Sequence, residues 1–192
     1  RGPDDLGKWV HENNLLSFGH TRLSIVDLSK KGRQPMKSQS GNFVVTYNGE
    51  IYNFRDIKKE LIKLNYIFFT NTDTEILLAS IETWGLRKSL EKFEGMFAFA
   101  LWDNSKKSLT LVRDRFGEKP LYYGWINESF LFSSELKSLK RHPRWQGRIN
   151  IDALGLFFKY ISPSFSEKKK VPSKEEYCSN DSLKSFDCMF IT

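Results

Sequence analysis

The chain has 192 residues, of which 40% are hydrophobic and 15% aromatic, a composition typical of a globular protein with one sizeable core. No apolar run approaches the ~20 residues that a membrane-spanning helix needs, so we expect no membrane partner. The net charge of +7 would suit nucleic acid, but basic residues are interleaved with acidic ones, as in FRDIKKELIK, so we expect no nucleic-acid partner either.

The two cysteines, Cys178 and Cys188, both lie near the end of the chain. Their number and spacing fit neither a disulfide framework nor a set of metal ligands. We therefore expect a reducing, cytoplasmic compartment, and we expect this chain to hold no metal.

The first half of the chain predicts strands followed by helices. Apolar residues alternate with polar ones in three short segments, which predicts strands at LLSFGH, LSIVDL and NFVVTYN. The segment FRDIKKELIKLN then places Ile57, Leu61 and Leu64 at helical spacing, with charged residues on the other face. It therefore predicts an amphipathic helix.

A second helix is predicted over TDTEILLASIETWG, with a capping box formed by Thr72 and Glu75 and a C-terminal stop at Gly85. Four β-rich segments with turn spacings that suit an antiparallel meander follow: MFAFALWD, SLTLVRD, PLYYGWI and SFLFSS. Two more helices are predicted at SELKSLKRH and IDALGLFFKY. This order of elements favours an α+β fold, with sheets covered by helices.

The character of the sequence changes after Ile161. Residues 1–162 are predicted to form one folded unit, whereas residues 163–192 contain few apolar residues and have no hydrophobic period. Such a segment cannot bury enough surface to offset the entropy of ordering it. We therefore expect a disordered C-terminal tail.

Four short segments carry side chains suited to a small polar ligand. RGPDD combines a turn signal with two acids, and alone is best interpreted as a turn. In HTRLSIVDLS, Arg22 offers a planar pair of donors to a ligand carboxylate, or forms a salt bridge with a neighbouring acid. In TDTE, Asp73 lies in the first turn of a helix, where it contributes to the cap or binds a ligand ammonium.

The fourth segment, Asn48-Gly49-Glu50, admits two interpretations. An Asn-Gly pair between apolar runs is a strong signal for a two-residue hairpin turn. Alternatively, the Asn48 side-chain NH₂ and the Gly49 N–H form a donor pair for a developing oxyanion, with glycine letting the backbone approach a ligand. Together the four segments offer the contacts that an α-amino acid with a reactive carboxamide would need.

The order of eight motifs resembles the class II glutamine amidotransferase domain, of the N-terminal nucleophile type, found in glutamine-hydrolysing asparagine synthetases. The resemblance covers residues 1–162, and its motifs are RGPDD, HTRLSIVDLS, GRQPM, YNGEIYNF, TDTE, GMFAFALWD, RDRFGEKPLYYG and SSELKSL. It implies a four-layer αββα sandwich that here lacks its first strand or strands.

The resemblance also implies a function. The family hydrolyses glutamine to glutamate and ammonia, and the ammonia passes to a C-terminal synthetase domain where Mg-ATP activates aspartate. ATP and Mg belong to that domain, so we expect no cofactor within residues 1–192. The implied partners are glutamine and the synthetase domain, and a homodimer stays open.

Five residues are implied to bind the substrate. Arg22 would hold the glutamine α-carboxylate, with the backbone of Leu23 and Ile25 nearby. Glu50 and Asp73 would receive the α-ammonium. By the same resemblance, the oxyanion hole consists of the Asn48 side chain and the N–H of the glycine that follows it.

One departure from the family concerns the nucleophile, which is a cysteine at the mature N-terminus. The chain begins at Arg1, inside the motif that follows this cysteine, and Cys178 and Cys188 lie in the divergent tail. We therefore expect a truncated and inactive glutaminase domain. A non-catalytic glutamine-binding or interaction module stays an alternative, as does an amidotransferase for a surface-polysaccharide sugar.

Overall fold

The computed structural model describes residues 2, 4–13, 15–22, 32–147, 151 and 185–190. The chain divides into two compact units, one made of Arg1–Leu121 with Ser182–Thr192 and the other of Tyr122–Asp181. The mixture of sheets and helices confirms the α+β class. In chain order the elements are β1 (Asp5–Val10), β2 (Ser17–Arg22), β3 (Met36–Lys37), β4 (Phe43–Ile51), α1 (Phe54–Lys63), α2 (Asp73–Trp84), α3 (Leu86–Lys92), β5 (Gly95–Asp103), β6 (Ser108–Arg113), β7 (Tyr122–Ile126), β8 (Ser129–Ser133), α4 (Leu136–Leu139) and β9 (Ser185–Phe190).

A five-stranded sheet in the order β3-β4-β5-β6-β9 forms the centre of the first unit. The strands from β3 to β6 pair antiparallel with their neighbours, whereas β9 runs parallel to β6. β4 and β5 pair along their whole length, from Phe43 opposite Asp103 to Ile51 opposite Gly95. This long pairing fixes the direction of every side chain and amide of β4.

Helices α1, α2 and α3 cover one face of this sheet. β4 turns Val45, Tyr47 and Ile51 towards the helices, because alternate side chains of a strand lie on the same face. The apolar core between the helices and the sheet consists of Val45, Tyr47, Ile51, Ile57, Leu61, Ile76, Leu77, Leu78, Ala79, Ile81, Leu90, Phe93, Phe97, Phe99, Leu101 and Val112.

The two-stranded sheet of β1 and β2 lies against the opposite face of the central sheet. His20 Nδ1 of β2 is 3.3 Å from Thr46 Oγ1 of β4. The ring of His11, which follows β1, packs edge-on against Trp102 of β5 with 5.3 Å between centroids. Thr46 and Trp102 alternate with the residues that face the helices, so both contacts lie between the sheets. Three of the four predicted layers are thus seen in the first unit.

Helix α2 begins where the sequence predicts. Thr72 caps it by accepting a hydrogen bond from Glu75 N at 3.3 Å. The reciprocal half of the capping box is not formed, because the Glu75 carboxylate accepts hydrogen bonds from Phe69 N and Thr70 N instead. Gly85, with a φ of 79°, ends α2, and α3, which the sequence does not predict, follows directly. Across the described residues, no helix has the length and apolar character needed to span a membrane.

Other expectations need correction. Leu64 follows the last residue of α1 and is 55% exposed, whereas Ile57 and Leu61 are the buried residues of that helix. β1 is a strand that the sequence pattern does not predict. The four-stranded meander is wrong, because β5 and β6 belong to the central sheet while β7 and β8 pair in a sheet of their own. The predicted strand LSIVDL lies outside the described residues, as does the helix IDALGLFFKY apart from Ile151.

Part of the C-terminal segment forms a strand, which corrects the expectation of a disordered tail. β9 pairs in parallel with β6 and places Cys188 opposite Leu111. The prediction of disorder averages the composition of residues 163–192, and this average conceals the short β-prone run SFDCMF. Without β9, β6 would be the outer strand of the sheet, and its free backbone donors and acceptors would be open to pairing with such a run. The boundary at residue 162 lies outside the described residues and stays a prediction.

The loop that follows β6 is organised around a buried carboxylate. Asp114 Oδ1 accepts hydrogen bonds from Phe116 N at 3.1 Å and Glu118 N at 2.9 Å. Its Oδ2 accepts hydrogen bonds from Phe97 N at 3.2 Å and Lys119 N at 3.0 Å. Burial alone would raise the pKa of Asp114, but these N–H donors outweigh it and hold the pKa below its ordinary value of 3.8.

We expect Asp114→Asn to lower the free energy of unfolding at pH 7 by about 1–3 kcal/mol, because an NH₂ group would face N–H donors in place of an oxygen. A carboxylate with a lowered pKa stabilises the folded state above its unfolded-state pKa, and this stabilisation disappears as the pH falls through the folded-state pKa. The difference between wild type and variant should therefore shrink below about pH 4. Urea unfolding between pH 3 and pH 7 tests this, and a constant difference would contradict it.

Candidate functional site

Asn48, Gly49 and Glu50 lie inside a regular strand. They occupy the second half of β4 and stand opposite Ala98, Phe97 and Met96 of β5. The hairpin-turn interpretation is therefore wrong. The flanking apolar residues are there because one face of β4 covers the helical core.

The glycine at position 49 is required by the neighbouring strand. A Cβ built on Gly49 would meet the Met96 carbonyl oxygen and would lie 2.6 Å from Phe97 Cα. Both atoms belong to the backbone of β5, which cannot move without disturbing the central sheet. Packing between β4 and β5 thus explains this glycine even without a ligand.

The N–H of Gly49 points away from β5. Phe97, which stands opposite Gly49, donates its N–H to Asp114 Oδ2 at 3.2 Å and accepts from Asp114 N at 2.7 Å. Both backbone groups of Phe97 are therefore turned towards β6, and Gly49 with Phe97 forms a non-hydrogen-bonded pair. The Gly49 amide is consequently directed to the β3 side of β4, past the end of β3.

Side chains bind the amides on either side of Gly49 at this edge. Tyr47 N donates a hydrogen bond to Gln34 Oε1 at 2.7 Å. Ile51 N donates to Asp73 Oδ2 at 3.2 Å. Because the amides of a strand alternate in direction, the Gly49 N–H projects between these two bonded amides.

Asp73 is the first residue of α2 and is only 9% exposed. Its Oδ2 also accepts a hydrogen bond from the Tyr47 hydroxyl at 2.7 Å. Burial raises the pKa of Asp73, the bonds from Tyr47 and Ile51 partly oppose this rise, and the negative charge of Glu50 adds to it. The carboxylate thus ties α2 to β4, close to Glu50.

Arg22 ends β2 and reaches the same helix terminus. A Cβ built on Gly32 would meet Arg22 Nη2 and would lie 2.8 Å from Thr72 Cγ2, so the guanidinium lies beside the residue that caps α2. Asp73 is the next residue along the chain. The structure therefore brings Arg22 and Asp73 to one end of α2, whereas Leu23 and Ile25 lie outside the described residues.

Strand alternation places Arg22 and Asn48 on the two faces that meet between the sheets. His20 of β2 contacts Thr46 of β4 across these faces, and Arg22 and Asn48 each follow two residues later on the same face of their own strand. Burial lowers the pKa of His20, Arg22 lowers it further, and Asp5 opposes both. A neutral His20 therefore lies between the sheets, next to the strand end that carries the guanidinium.

Two residues at this site, Gln34 and Tyr47, are not predicted as site residues by the sequence. Gln34 belongs to the GRQPM motif but has no ligand-like chemistry of its own, and Tyr47 was assigned only to the apolar frame. Gln34 and Tyr47 each bond to residues far away in the sequence, so no local sequence pattern indicates their part in the site. Among the described residues, no group of three or more His, Cys, Asp or Glu side chains could hold a metal ion.

We expect Gly49→Ala to lower the free energy of unfolding by about 1–3 kcal/mol, because the added methyl group overlaps the backbone of Phe97. The matched control is Gly19→Ala in β2, where an added Cβ meets nothing within 4 Å. We expect that control to leave the stability unchanged or to raise it by up to about 1 kcal/mol. Thermal and urea unfolding of both variants test this, and equal effects would contradict the packing argument.

Comparison with known proteins identifies a family and several relatives of this chain. The family model described as "Glutamine amidotransferase domain" matches residues 1–174. Asparagine synthetase [glutamine-hydrolyzing] 3 of Bacillus subtilis is 41% identical over 160 residues, which cover 82% of this chain and 25% of the relative. Amidase chry2 of Gibberella zeae is 38% identical over 148 residues, covering 76% of this chain and 22% of the relative.

The fold is also found among solved structures. Glutamine phosphoribosylpyrophosphate amidotransferase from B. subtilis, complexed with ADP and GMP, matches with a TM-score of 0.57 and 25% identity. The match covers 65% of this chain and 28% of the amidotransferase. The chain spans about a quarter of the length of these relatives. On the family match over most of its length, the chain belongs to the glutamine amidotransferase domain family.

Proposed function

We propose that this chain is the glutaminase domain of an asparagine synthetase and that its reaction is the hydrolysis of glutamine to glutamate and ammonia. The observation that carries the proposal is the direction of the Gly49 N–H, which leaves β4 between two amides that are already bonded. Family membership supports glutamine as the substrate. The β4 edge offers a fixed donor for its carboxamide oxygen.

In this proposal the end of α2 binds the amino-acid part of glutamine. Arg22, beside Thr72, pairs with the α-carboxylate. Contacts with the backbone of Leu23 and Ile25, which lie outside the described residues, stay a prediction from the sequence. Asp73 and Glu50 receive the α-ammonium. Because burial raises the pKa of Asp73, a bound ammonium would favour its ionised form and offset the cost of burying the charge.

The oxyanion would be stabilised by the Asn48 side-chain NH₂ and the Gly49 N–H. Gly49 belongs to a strand that is paired along its length with β5, so its N–H does not have to reorganise as negative charge develops on the carbonyl oxygen. The loss of one such donor typically lowers turnover by about 10²–10³-fold.

We extend the proposal to the fate of the ammonia. Several relatives are named glutamine-hydrolyzing asparagine synthetases, and the chain covers only 25–33% of two of them. We infer a C-terminal synthetase domain as the partner, which would bind ATP and Mg and use the ammonia to amidate aspartate. A cytoplasmic location follows from the same proposal.

One observation favours a second candidate, a non-catalytic glutamine-binding module. Cys188 lies in β9, and β5 and β6 separate β9 from β4. In the described part of the chain, therefore, no cysteine stands near the Gly49 amide. If the chain, extended at its N-terminus by a cysteine-bearing segment, binds glutamine without releasing glutamate, this second candidate is supported over the first.

We expect titration calorimetry to show that the 192-residue chain binds L-glutamine and that Arg22→Ala weakens the affinity at least about tenfold, because a charge-assisted pair with the α-carboxylate is lost. The matched control is Arg87→Ala on α3, whose side chain is 90% exposed and which we expect to leave the affinity unchanged. Equal affinities for wild type and Arg22→Ala would contradict the assignment of the α-carboxylate site. An ammonia assay on a chain extended at its N-terminus by a cysteine-bearing segment separates the two candidate functions.

A further inference from the structure

The edge of β4 beyond β3 carries three outward amides, those of Tyr47, Gly49 and Ile51. Tyr47 N donates a hydrogen bond to the Gln34 side chain, and Ile51 N donates one to the Asp73 carboxylate. Asp73 belongs to the substrate site as proposed, whereas Gln34 has no part in it. Gln34 nevertheless binds the outward amide that precedes the one proposed to bind the substrate carbonyl.

Gln34 is fixed at both ends of its side chain. It is 8% exposed, its Oε1 accepts from Tyr47 N at 2.7 Å, and its Nε2 donates to Thr74 Oγ1 at 3.3 Å. Thr74 is 3% exposed and lies in the first turn of α2. One neutral amide group thus joins the edge of β4 to the helix end that carries Asp73.

The backbone of Gln34 is held as closely as its side chain. A Cβ built on Gly7 of β1 would meet the Gln34 carbonyl oxygen and would lie 2.8 Å from its carbonyl carbon. Gln34 therefore contacts β1 through its main chain, and β4 and α2 through its side chain. Because β1, β4 and α2 all contact Gln34, its side chain is held rigidly enough to restrict the movement of the β4 backbone near Gly49.

We propose that Gln34 is a positioning residue that keeps the Gly49 N–H aimed at the substrate carboxamide oxygen. This inference rests on the proposed function. Oxyanion donors act at distances of about 2.7–3.1 Å, so a small rotation of the β4 peptide planes is enough to lose the contact. By bonding the amide two residues before Gly49, Gln34 prevents this rotation and also prevents the edge from pairing with another strand.

The chemistry of the side chain suits this role. Tyr47 N needs an acceptor and Thr74 offers one, so the bridge requires a side chain with one acceptor and one donor, as an amide has. Glutamate would keep the acceptor, lose the donor and place a negative charge near the developing oxyanion. A neutral amide avoids that repulsion.

The test compares two ligands by titration calorimetry on the full 192-residue chain: L-glutamine, and L-norvaline, which has the same α-carboxylate and α-ammonium but no carboxamide. We expect wild type to bind glutamine more tightly than norvaline. In Gln34→Met, which removes both hydrogen bonds at similar volume, we expect this preference to fall about tenfold while the norvaline affinity stays the same. The matched control is Gln39→Met, whose amide contacts the Ile67 carbonyl on the surface and should leave the preference intact.

A second measurement follows the Gly49 amide itself by nuclear magnetic resonance. Glutamine, but not norvaline, should shift the Gly49 N–H resonance of wild type, and Gln34→Met should reduce this shift by more than half. Thr74→Val, which removes only the anchor on α2, should give an intermediate reduction.

The outcomes distinguish a failure of the proposed function from a failure of the role proposed for Gln34. If wild type binds neither ligand, the proposed function fails and the inference fails with it. If wild type prefers glutamine and Gln34→Met keeps the full preference, the inference alone is overturned. A parallel loss of both affinities in Gln34→Met, together with a lower unfolding temperature, also overturns it, because it shows a general structural role.

Discussion

The candidate site depends on how Phe97 is bonded. Asp114 takes both backbone groups of Phe97 on the β6 side, so Phe97 has none left for Gly49 on the β4 side. Gly49 and Phe97 therefore form a non-hydrogen-bonded pair, and the Gly49 amide is directed outwards. The Asp114 carboxylate, in the loop after β6, binds the N–H of Phe97 in this arrangement.

The helical part of the fold was the most predictable from the sequence. α1 and α2 are defined by local information, namely the helical spacing of Ile57 and Leu61 and the cap at Thr72. β2 and β4 to β8 were predicted as strands, but the arrangement of their partners was not, because pairing depends on contacts far apart in the chain. This is why the meander was wrong and why the strand within the C-terminal segment was overlooked.

The site shows the same division between local and long-range information. The Asn-Gly pair has identical local chemistry in a turn and in a strand, and only its register with Phe97 decides between them. Arg22 and Asp73 could be selected as charged residues at the ends of elements, and the structure places both at the start of α2. Gln34 could not be selected, since its role consists entirely of bonds to Tyr47 and Thr74.

The parallel pairing of β9 with β6 has a consequence for how the chain folds. The two strands are separated by more than 70 residues, from Arg113 to Ser185, so the sheet cannot be completed until residues 185–190 have been synthesised. Long-range parallel pairing forms slowly, because a large loop must close before any contact stabilises it. Until residues 185–190 have been synthesised, β6 therefore stays the outer strand of the sheet, and its exposed edge is prone to pairing with other chains.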